Sequence, residues 1–274
     1  MTATFRGYSA HMTEPKKLAL VTGASSGIGL ALATEFVRHD YDLVVCAEDE
    51  AIHQAADALG VSGAVITPIQ VDLRTYDGVE NLYSTVLGTG RSLDAAALNA
   101  GVGLGGPFVE NDLTAELDMI DLNVKSTVHL AKRVLGDMVA RNEGRVLITS
   151  SIASTMPGSF QAVYNGTKSF LQSFTEAVAN ELKDTGVVIT SLMPGPTDTN
   201  FFHRAEMDDT RVGQGSKDDP AEVARQGFEA LMDGDQKVVA GSLKTKSMEA
   251  ANKVMPDAVK AQQHRRMAEP GGGS

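Results

Sequence analysis

The sequence predicts a single-domain α/β fold, in which a doubly wound sheet of seven parallel strands carries helices on both faces. Apolar runs of strand length alternate with helical patterns between Leu18 and about Gly241, as they do in βαβ units. The runs are continuous rather than alternating, which indicates strands buried on both faces. The chain has 274 residues, 42% of them hydrophobic and 22% charged, so its composition excludes a disordered or collagen-like protein.

Seven apolar runs are the predicted strands. In chain order they are 18–22, 42–47, 64–71, 94–99, 145–151, 187–193 and 237–241. Amphipathic periodicity between them predicts the helices. These are 28–36, 51–59, 77–87, 119–141, 162–184 and 220–233. The last of them begins at Pro220, with Asp218 or Asp219 placed to cap it.

The two ends of the chain depart from this pattern. Residues 1–15 lack the apolar stretch of a signal peptide, so we expect an unstructured arm or an added segment before the main domain, 16–242. Residues 243–268 are predicted as a helical extension rich in Lys and Arg, and the glycines of 269–274 predict a flexible tail. The basic extension either lies in solvent or touches a membrane surface or an acidic partner.

The composition also excludes several classes of function. Lys and Arg number 24 against 35 Asp and Glu, and the resulting charge of −11 disfavours binding to nucleic acid. No stretch approaches the roughly 20 apolar residues that a membrane span needs. Cys46 is the one cysteine, and the six histidines have no partners at metal-ligand spacing. We therefore expect no disulfide, no metal site and a reducing, cytoplasmic location.

A glycine-rich turn follows the first predicted strand. Residues 22–29 read Thr-Gly-Ala-Ser-Ser-Gly-Ile-Gly, and a helix follows them. Glycines at such a turn let backbone N–H groups approach a pyrophosphate at the helix N-terminus. The alternative is a tight strand-to-helix turn without a ligand. A P-loop is excluded because no Gly-Lys-Ser/Thr follows.

Tyr164 and Lys168 are four residues apart and share one face of the predicted helix 162–184. An ammonium about 4 Å from a phenolate contributes on the order of 4 kcal/mol at an effective dielectric of about 20, or about three pKa units. We therefore expect Lys168 to lower the pKa of Tyr164 toward neutrality, where the phenol can exchange a proton with an alcohol or a carbonyl. Ser151 ends the fifth strand and can donate a hydrogen bond to a developing oxyanion. For the Tyr–Lys pair alone, the alternative is an ordinary contact on a helix surface.

These motifs together resemble the short-chain dehydrogenase/reductase family from Lys16 to about Gly241. The first turn has Gly-x3-Gly-x-Gly spacing instead of the commoner Gly-x-Gly-x2-Gly, and the other landmarks fall in register. They are Asp72, Asn99-Ala100-Gly101, Asn123, Ser151, Tyr164, Lys168 and Pro194-Gly195. One departure is Leu98, where the family more often has a second Asn.

The resemblance implies a Rossmann fold and a catalytic tetrad of Asn123, Ser151, Tyr164 and Lys168. Within it, Tyr164 is the acid or base, Lys168 lowers its pKa and holds the ribose, and Ser151 polarises the carbonyl. Asn123 would order a water that relays the proton. The alternative for Asn123 is an amide that kinks a helix or satisfies a loop.

The resemblance also implies a set of residues that bind a nicotinamide cofactor. They are Gly23, Ser25, Ser26, Gly27, Ile28, Gly29, Glu48, Asp72, Leu73, Asn99, Ala100, Gly101, Tyr164, Lys168, Pro194, Gly195, Thr197 and Thr199. Asp72 would contact the adenine, and the segment from Pro194 to Thr199 would hold the nicotinamide carboxamide.

Cofactor choice depends on the end of the second strand. In the family, an acidic residue at the position of Ala47 binds the ribose of NAD, and an Arg at the position of Glu48 pairs with the 2′-phosphate of NADP; neither is present. Ser26 also stands where a basic residue would favour NADP. A carboxylate repels a phosphate, so we expect NAD to be preferred and NADP to be the weaker cofactor, unless Glu48 faces solvent.

The irregular stretch 194–219 exceeds the usual loop length, which indicates a functional lid or a disordered segment. In the family, positions in this stretch and before the catalytic Tyr line the substrate pocket, so the resemblance implies a lining of Met156, Phe160, Val163, Thr199, Phe201, Phe202 and His203. Apolar and aromatic residues among them suit a hydrophobic substrate, and we expect His203 to be a loop residue rather than a second acid.

The sequence thus predicts a short-chain alcohol dehydrogenase or ketoreductase that acts on a hydrophobic secondary alcohol or ketone. The alternative is a cofactor-binding sensor or scaffold without turnover. Helices 119–141 and 162–184 carry apolar residues on more than one face, and in the family they pack across a two-fold axis. We therefore expect a homodimer or homotetramer.

Overall fold

Seven parallel strands form one sheet in the computed structural model, which describes residues 16–252 and 254–273. The strands are β1 (Lys17–Thr22), β2 (Tyr41–Ala47), β3 (Ile66–Gln70), β4 (Ala95–Leu98), β5 (Gly144–Thr149), β6 (Val187–Pro194) and β7 (Lys237–Ala240). Their order across the sheet is β3-β2-β1-β4-β5-β6-β7, and every neighbouring pair is parallel. The order reverses between β1 and β4, which is where open α/β sheets bind ligands.

All seven predicted strands are present, and the predicted doubly wound fold is confirmed. The expectation that every strand is buried on both faces is wrong for β3 and β7, whose residues are mostly half-buried or exposed. These two strands lie at the edges of the sheet, where the neighbouring strand on one side is missing and helix cover is thinner.

Helices cover both faces of the sheet and create two large apolar cores. The principal ones are α1 (Gly27–Arg38), α2 (Ala51–Gly60), α3 (Tyr76–Gly88), α4 (Leu113–Ile120), α5 (Ser126–Arg141) and α6 (Ala162–Glu181). The core that contains Leu82, Leu130 and Leu171 joins the sheet to α3, α5 and α6. The other core joins it to α1, α2 and a later helix that begins at Pro220.

The predicted helix 119–141 is in fact two helices joined by a π-helical turn. α4 ends at Ile120, residues Asp121–Lys125 form the turn, and α5 follows directly. Within this segment, the Thr127 hydroxyl donates to the carbonyl of Asn123 at 2.9 Å. Apolar periodicity does not register one extra residue in a turn, so the sequence could not predict the break. π-helical turns are frequent at functional sites.

The irregular stretch after β6 is a structured lid. It contains two short helices, α7 (Phe201–Arg204) and α8 (Arg211–Gln214), and Phe202 and Met207 are buried within it. α9 (Pro220–Asp233) follows, with the Asp219 carboxylate capping the amide of Ala221 at 2.9 Å.

The basic extension consists of two helices, α10 (Leu243–Asn252) and α11 (Asp257–Ala268), where the sequence predicted one. Pro256 lies between them and cannot donate the hydrogen bond that a continuous helix needs. The extension is not simply solvated, because Ala268 packs against Phe202 and Met207 of the lid.

The far end of the chain lies against α8 and the residues before it. In the predicted tail, the amide of Gly271 donates to the Asp209 carboxylate at 2.7 Å. The predicted arm, residues 1–15, lies outside the described residues. Within the described ranges, no helix has both the length and the apolarity needed to cross a membrane, and no group of three or more His, Cys, Asp or Glu side chains could hold a metal ion.

Candidate active site

One cleft at the carboxyl edge of the sheet is lined by nearly all of the predicted site residues. Those that line it are Gly23, Ser25, Ser26, Gly27, Ile28, Gly29, Glu48, Asp72, Leu73, Asn99, Ala100, Gly101, Ser151, Tyr164, Lys168, Pro194, Gly195, Thr197 and Thr199. Asn123 is the exception, since it is fully buried behind the cleft. Residues from the first strand to the sixth therefore converge on one site.

The glycine turn leaves the N-terminus of α1 open to the cleft. Gly23 and Gly27 have φ angles of +68° and +57°, which side-chain-bearing residues rarely adopt. A Cβ on Gly29 would lie 2.0 Å from the Gly23 carbonyl oxygen. Ser26 caps α1 without a side-chain hydrogen bond, and no acidic residue lies in the first turn. The free amides fit an anionic group such as the pyrophosphate of a dinucleotide.

Tyr164 and Lys168 both project from α6 into the cleft and are largely buried, with 9% and 5% of their surface exposed. The Lys168 ammonium donates to the Thr149 carbonyl at 2.9 Å and lies 5.9 Å from the centroid of the Tyr164 ring. Ser151 follows β5, accepts a hydrogen bond from the amide of Ala153 at 3.1 Å, donates to the Pro194 carbonyl at 3.5 Å, and lies near enough to Tyr164 to influence its pKa.

The expected effect of Lys168 on Tyr164 is wrong for the protein as it stands in this structure. Burial raises the pKa of Tyr164 to about 12, against a smaller lowering by the hydrogen bond to Ser151. Burial likewise lowers the pKa of Lys168 to about 8. The loss of hydration penalises both charged forms, and the Lys168 ammonium, 5.9 Å from the centroid of the Tyr164 ring, does not offset it.

Asn123 holds the loop after β4 in place beside the site. Its side-chain oxygen accepts from the amide of Val102 at 2.9 Å, and its nitrogen donates to the carbonyl of Val102 at 2.9 Å and to the hydroxyl of Thr167 at 3.0 Å. A Cβ on Gly101 would lie 3.0 Å from the Asn123 oxygen and 3.4 Å from the Lys168 nitrogen. Asn123 is therefore a neighbour of Lys168, with its amide committed to the loop after β4.

Asn99 is held by the strands on either side of it. The Asn99 side chain donates to the Thr22 carbonyl at 3.2 Å and accepts from the Thr149 hydroxyl at 3.1 Å. The hydroxyl of Thr22 in turn accepts from the amides of Asn99 and Ala100, both at 2.9 Å. Thr22 and Thr149 thus fix the edge of the cleft, and the sequence analysis did not single out Thr149.

Two arginines form ion pairs with Glu48. Neither belongs to the motifs from which we predicted the preferred cofactor. Arg204 of α7 donates to one Glu48 oxygen at 2.6 Å, and Arg74 lies 3.3 Å from the other. Arg74 also bonds Asp72 at 2.9 Å, which holds the pKa of that carboxyl below its usual range. Two cations outside those motifs therefore offset part of the charge of Glu48. Arg204 lies 156 residues from Glu48 in the chain, so no local signal reveals it.

The substrate end of the cleft differs in part from the prediction. Met156, Phe201 and Phe202 line it, and the Phe201 ring lies 5.3 Å from the Tyr164 ring, centroid to centroid. Phe160, Val163 and His203 are not among the lining residues. The sequence analysis missed several lining residues, among them Val212 and three from the C-terminal extension: Met248, His264 and Met267.

Comparisons with known proteins agree with this geometry. The family model described as "short chain dehydrogenase" matches residues 17–210. The chain is 30% identical to the oxidoreductase UcpA of Salmonella typhimurium over 78% of this chain and 80% of that protein. It is 33% identical to a probable NADP-dependent dehydrogenase of Haemophilus influenzae, over 65% of this chain and 70% of that one.

A solved structure with the same fold is a short-chain dehydrogenase/reductase from Burkholderia phymatum in complex with NAD. Its TM-score is 0.80 at 22% identity, with 92% of this chain and 97% of that chain covered. The family match spans well over half of the chain and includes the glycine turn, Ser151, Tyr164 and Lys168. This protein therefore belongs to the short-chain dehydrogenase family of oxidoreductases.

Proposed function

We propose that this protein is a cytoplasmic alcohol dehydrogenase or ketoreductase that transfers hydride between a nicotinamide cofactor and a hydrophobic secondary alcohol or ketone. The observation that carries the proposal is the shared cleft. It places Tyr164, Lys168 and Ser151 in the same space as the open N-terminus of α1. Such a reaction requires a proton donor and a binding site for the dinucleotide.

Each side chain has a role that follows from its surroundings. Tyr164 gives a proton to the substrate oxygen in reduction and takes it back in oxidation, and burial keeps the phenol protonated at neutral pH. Ser151 donates a hydrogen bond to the same oxygen. When bound, the nicotinamide supplies or accepts the hydride, and its oxidised ring brings a positive charge. Lys168 holds the ribose, and Asn123 positions the loop beside it.

The elements around the cleft suggest which residues would bind each part of the cofactor. The amides of α1 would hold the pyrophosphate, Asp72 would contact the adenine, and the segment from Pro194 to Thr199 would hold the nicotinamide. We propose NAD as the preferred cofactor because Glu48 repels a 2′-phosphate. Arg74 and Arg204 neutralise part of that charge, so we expect a smaller preference than the sequence alone suggests. The similar proteins include one complexed with NAD and one named NADP-dependent.

The substrate pocket favours an apolar molecule. Met156, Phe201, Phe202 and Val212 line the end of the cleft near Tyr164, together with the two methionines of the extension. Apolar walls with a few polar groups are typical of sites for small hydrophobic ligands.

A turnover screen tests the proposal. The purified protein is incubated with a panel of secondary alcohols and NAD or NADP, and with the matching ketones and reduced cofactors, while cofactor absorbance is followed. We expect turnover of hydrophobic members of the panel and a higher kcat/KM with NAD. Lys168→Ala serves as the matched control and is expected to lose both turnover and cofactor affinity. Tight cofactor binding without turnover of any member would instead favour the sensor or scaffold.

A further inference from the structure

The C-terminal extension forms one wall of the substrate cleft, although it lies beyond the residues that the family model matches. α10 contributes Met248 to the lining, and α11 contributes His264 and Met267. Residues 17–210 alone define the family match. Among these three side chains, only His264 has a strong hydrogen-bonding group. The wall is therefore apolar apart from one imidazole.

Hydrogen bonds from both helices fix this wall against the loop before Tyr164. Asn252 of α10 donates to the Thr155 hydroxyl at 3.0 Å. From α11, Lys260 donates to the Thr155 carbonyl at 3.2 Å, and the Ala261 carbonyl accepts from the Ser159 hydroxyl at 3.2 Å. Such anchors hold the imidazole of His264 at one position relative to the cleft.

The hydrogen bond of His264 determines its tautomer. Its Nδ1 lies 2.9 Å from the Ser159 carbonyl oxygen, which can only accept, so Nδ1 carries the hydrogen. The side chain is 6% exposed, and burial lowers the pKa of His264 despite the opposing effect of this hydrogen bond. The ring is then neutral at pH 7, and its Nε2 presents a lone pair.

No donor forms a hydrogen bond with this Nε2 anywhere in residues 16–252 and 254–273. Two of the nearby basic side chains have other partners. Lys260 pairs with Asp257 at 2.8 Å, and the Arg265 guanidinium lies over the Phe160 ring, 5.1 Å from its centroid. Since Nδ1 is committed to Ser159 and His264 lines the cleft, Nε2 is free to accept a hydrogen bond from a donor group on a ligand in the cleft.

We propose that His264 is a substrate-binding residue, and that its Nε2 accepts a hydrogen bond from a hydroxyl or N–H group of the substrate. The substrate would then be an apolar secondary alcohol or ketone with a second hydrogen-bond donor apart from the reacting carbon. This inference rests on the proposed function, because it takes Tyr164 as the group that meets the reacting oxygen. A site that bonds a substrate hydroxyl discriminates strongly against the analogue that lacks it.

The test compares cyclohexanol with cyclohexane-1,2-diol, 1,3-diol and 1,4-diol, using the full chain with saturating NAD. These probes share a ring and a reacting carbinol, and the diols place a second hydroxyl at three separations. We expect kcat/KM for at least one diol to exceed that for cyclohexanol by about tenfold or more.

Three substitutions distinguish the contributions of the two ring nitrogens of His264. His264→Asn retains a donor for the Ser159 carbonyl but removes the acceptor in the cleft, His264→Gln can place an amide oxygen near the former Nε2, and His264→Phe removes both groups. We expect the diol preference to fall about tenfold in the Asn and Phe variants and to survive in part in the Gln variant. His53→Asn, on the exposed side of α2, is the matched control and should retain the preference.

A parent protein that shows no preference for any of the diols would overturn the inference, as would a preference that His264→Asn leaves intact. The 15N spectrum of the histidine rings separates this outcome from failure of the proposed function. In NAD-saturated protein, the Nε2 signal assigned through His264→Asn should shift with a diol and not with cyclohexanol. If neither these probes nor any member of the panel is turned over, the proposed function fails, and an unchanged Nε2 signal with the diols overturns the His264 inference in either case.

Discussion

At the scale of single residues, burial dominates the electrostatics of the site. Tyr164 retains its proton because a phenolate in the cleft would lose hydration, and Lys168 gives up its proton more readily for the same reason. A buried phenol that is protonated at neutral pH is suited to act as an acid toward a carbonyl oxygen.

The shifted pKa of Lys168 predicts a pH dependence of stability. Between pH 8 and 10.5 the folded protein carries a neutral Lys168 while the unfolded chain carries a charged one, so the unfolded state binds more protons and stability rises with pH. Relative to Lys168→Met, the parent should gain about 3 kcal/mol in the free energy of unfolding across this range. Urea unfolding of both proteins at several pH values measures the difference. A difference that is constant with pH would show that Lys168 titrates normally in the folded state.

The charges around Glu48 predict how cofactor choice can be changed. Glu48→Gln removes the repulsive carboxylate and frees Arg204, whereas Arg74 keeps its hydrogen bonds to Asp72, so Arg204 becomes available to a 2′-phosphate. We expect the ratio of kcat/KM for NADP over NAD to rise about tenfold, since these groups are partly exposed and screened.

The paired variant Glu48→Gln/Arg204→Met tests the source of that change. It should lose much of the gain, because the cation that Glu48→Gln frees is gone. Glu48→Arg should also move the ratio toward NADP, and Ser26→Arg should add to the shift. If the parent already prefers NADP, or if Glu48→Gln does not change the ratio of kcat/KM for the two cofactors, residues other than Glu48 determine recognition at the ribose 2′-position.

At the scale of elements, the strands could be predicted and the breaks between helices could not. Each strand is a continuous apolar run, which is a strong local signal, and all seven were found within a few residues of their bounds. The π-helical turn at Asp121–Lys125 depends on one inserted residue that apolar periodicity does not register. The Pro256 break was visible in the sequence, but the basic residues on both sides suggested one helix.

The candidate site could be predicted where local motifs carry it. The glycine turn and the spacing of Tyr164 and Lys168 are readable from the chain, and the structure brings them into one cleft. The contacts of Arg204 with Glu48 and of His264 with Ser159 join residues about 100 or more positions apart. Such contacts depend on tertiary packing, so no pattern in the sequence indicates them.

The π-helical turn leads to a prediction for Asn123. Asn123→Ala would leave the buried amide and carbonyl of Val102 without their partners, so we expect the free energy of unfolding to fall by about 2–4 kcal/mol. Turnover should fall as well, because the loop beside Lys168 loses its hydrogen bonds to Asn123. Denaturant unfolding measures the first effect. Asn81→Ala, on the exposed face of α3, is the matched control, and equal losses in the two variants would contradict the role given to Asn123.

At the scale of the whole molecule, exposed apolar side chains predict a symmetric oligomer. Phe170 of α6 is 44% exposed and stacks on Phe174 with their centroids 6.0 Å apart, and Leu113 and Leu117 of α4 are also exposed. α4 contacts α6, so these side chains lie on adjoining elements. A second copy would cover such a surface.

Light scattering should therefore give a mass of at least twice the 28.9 kDa of one chain at micromolar concentration. Phe170→Asp should lower that mass toward a single chain, because it places a charge in the proposed interface. Val61→Asp, at the exposed end of α2, should leave the mass unchanged. A parent that is monomeric at these concentrations would contradict the expectation.

The central claim is that one cleft contains both a dinucleotide-binding site and a proton donor. Tyr164→Phe tests this claim most directly. The substitution removes one hydroxyl from a buried ring and leaves the glycine turn, Lys168 and Glu48 in place. We expect kcat to fall by about 10²- to 10⁴-fold on any substrate that the parent turns over, while the Kd for the reduced cofactor, measured by fluorescence titration, stays within about twofold. A variant that turns over its substrate at nearly the parental rate, with cofactor bound as tightly as before, would show that Tyr164 is not the proton donor.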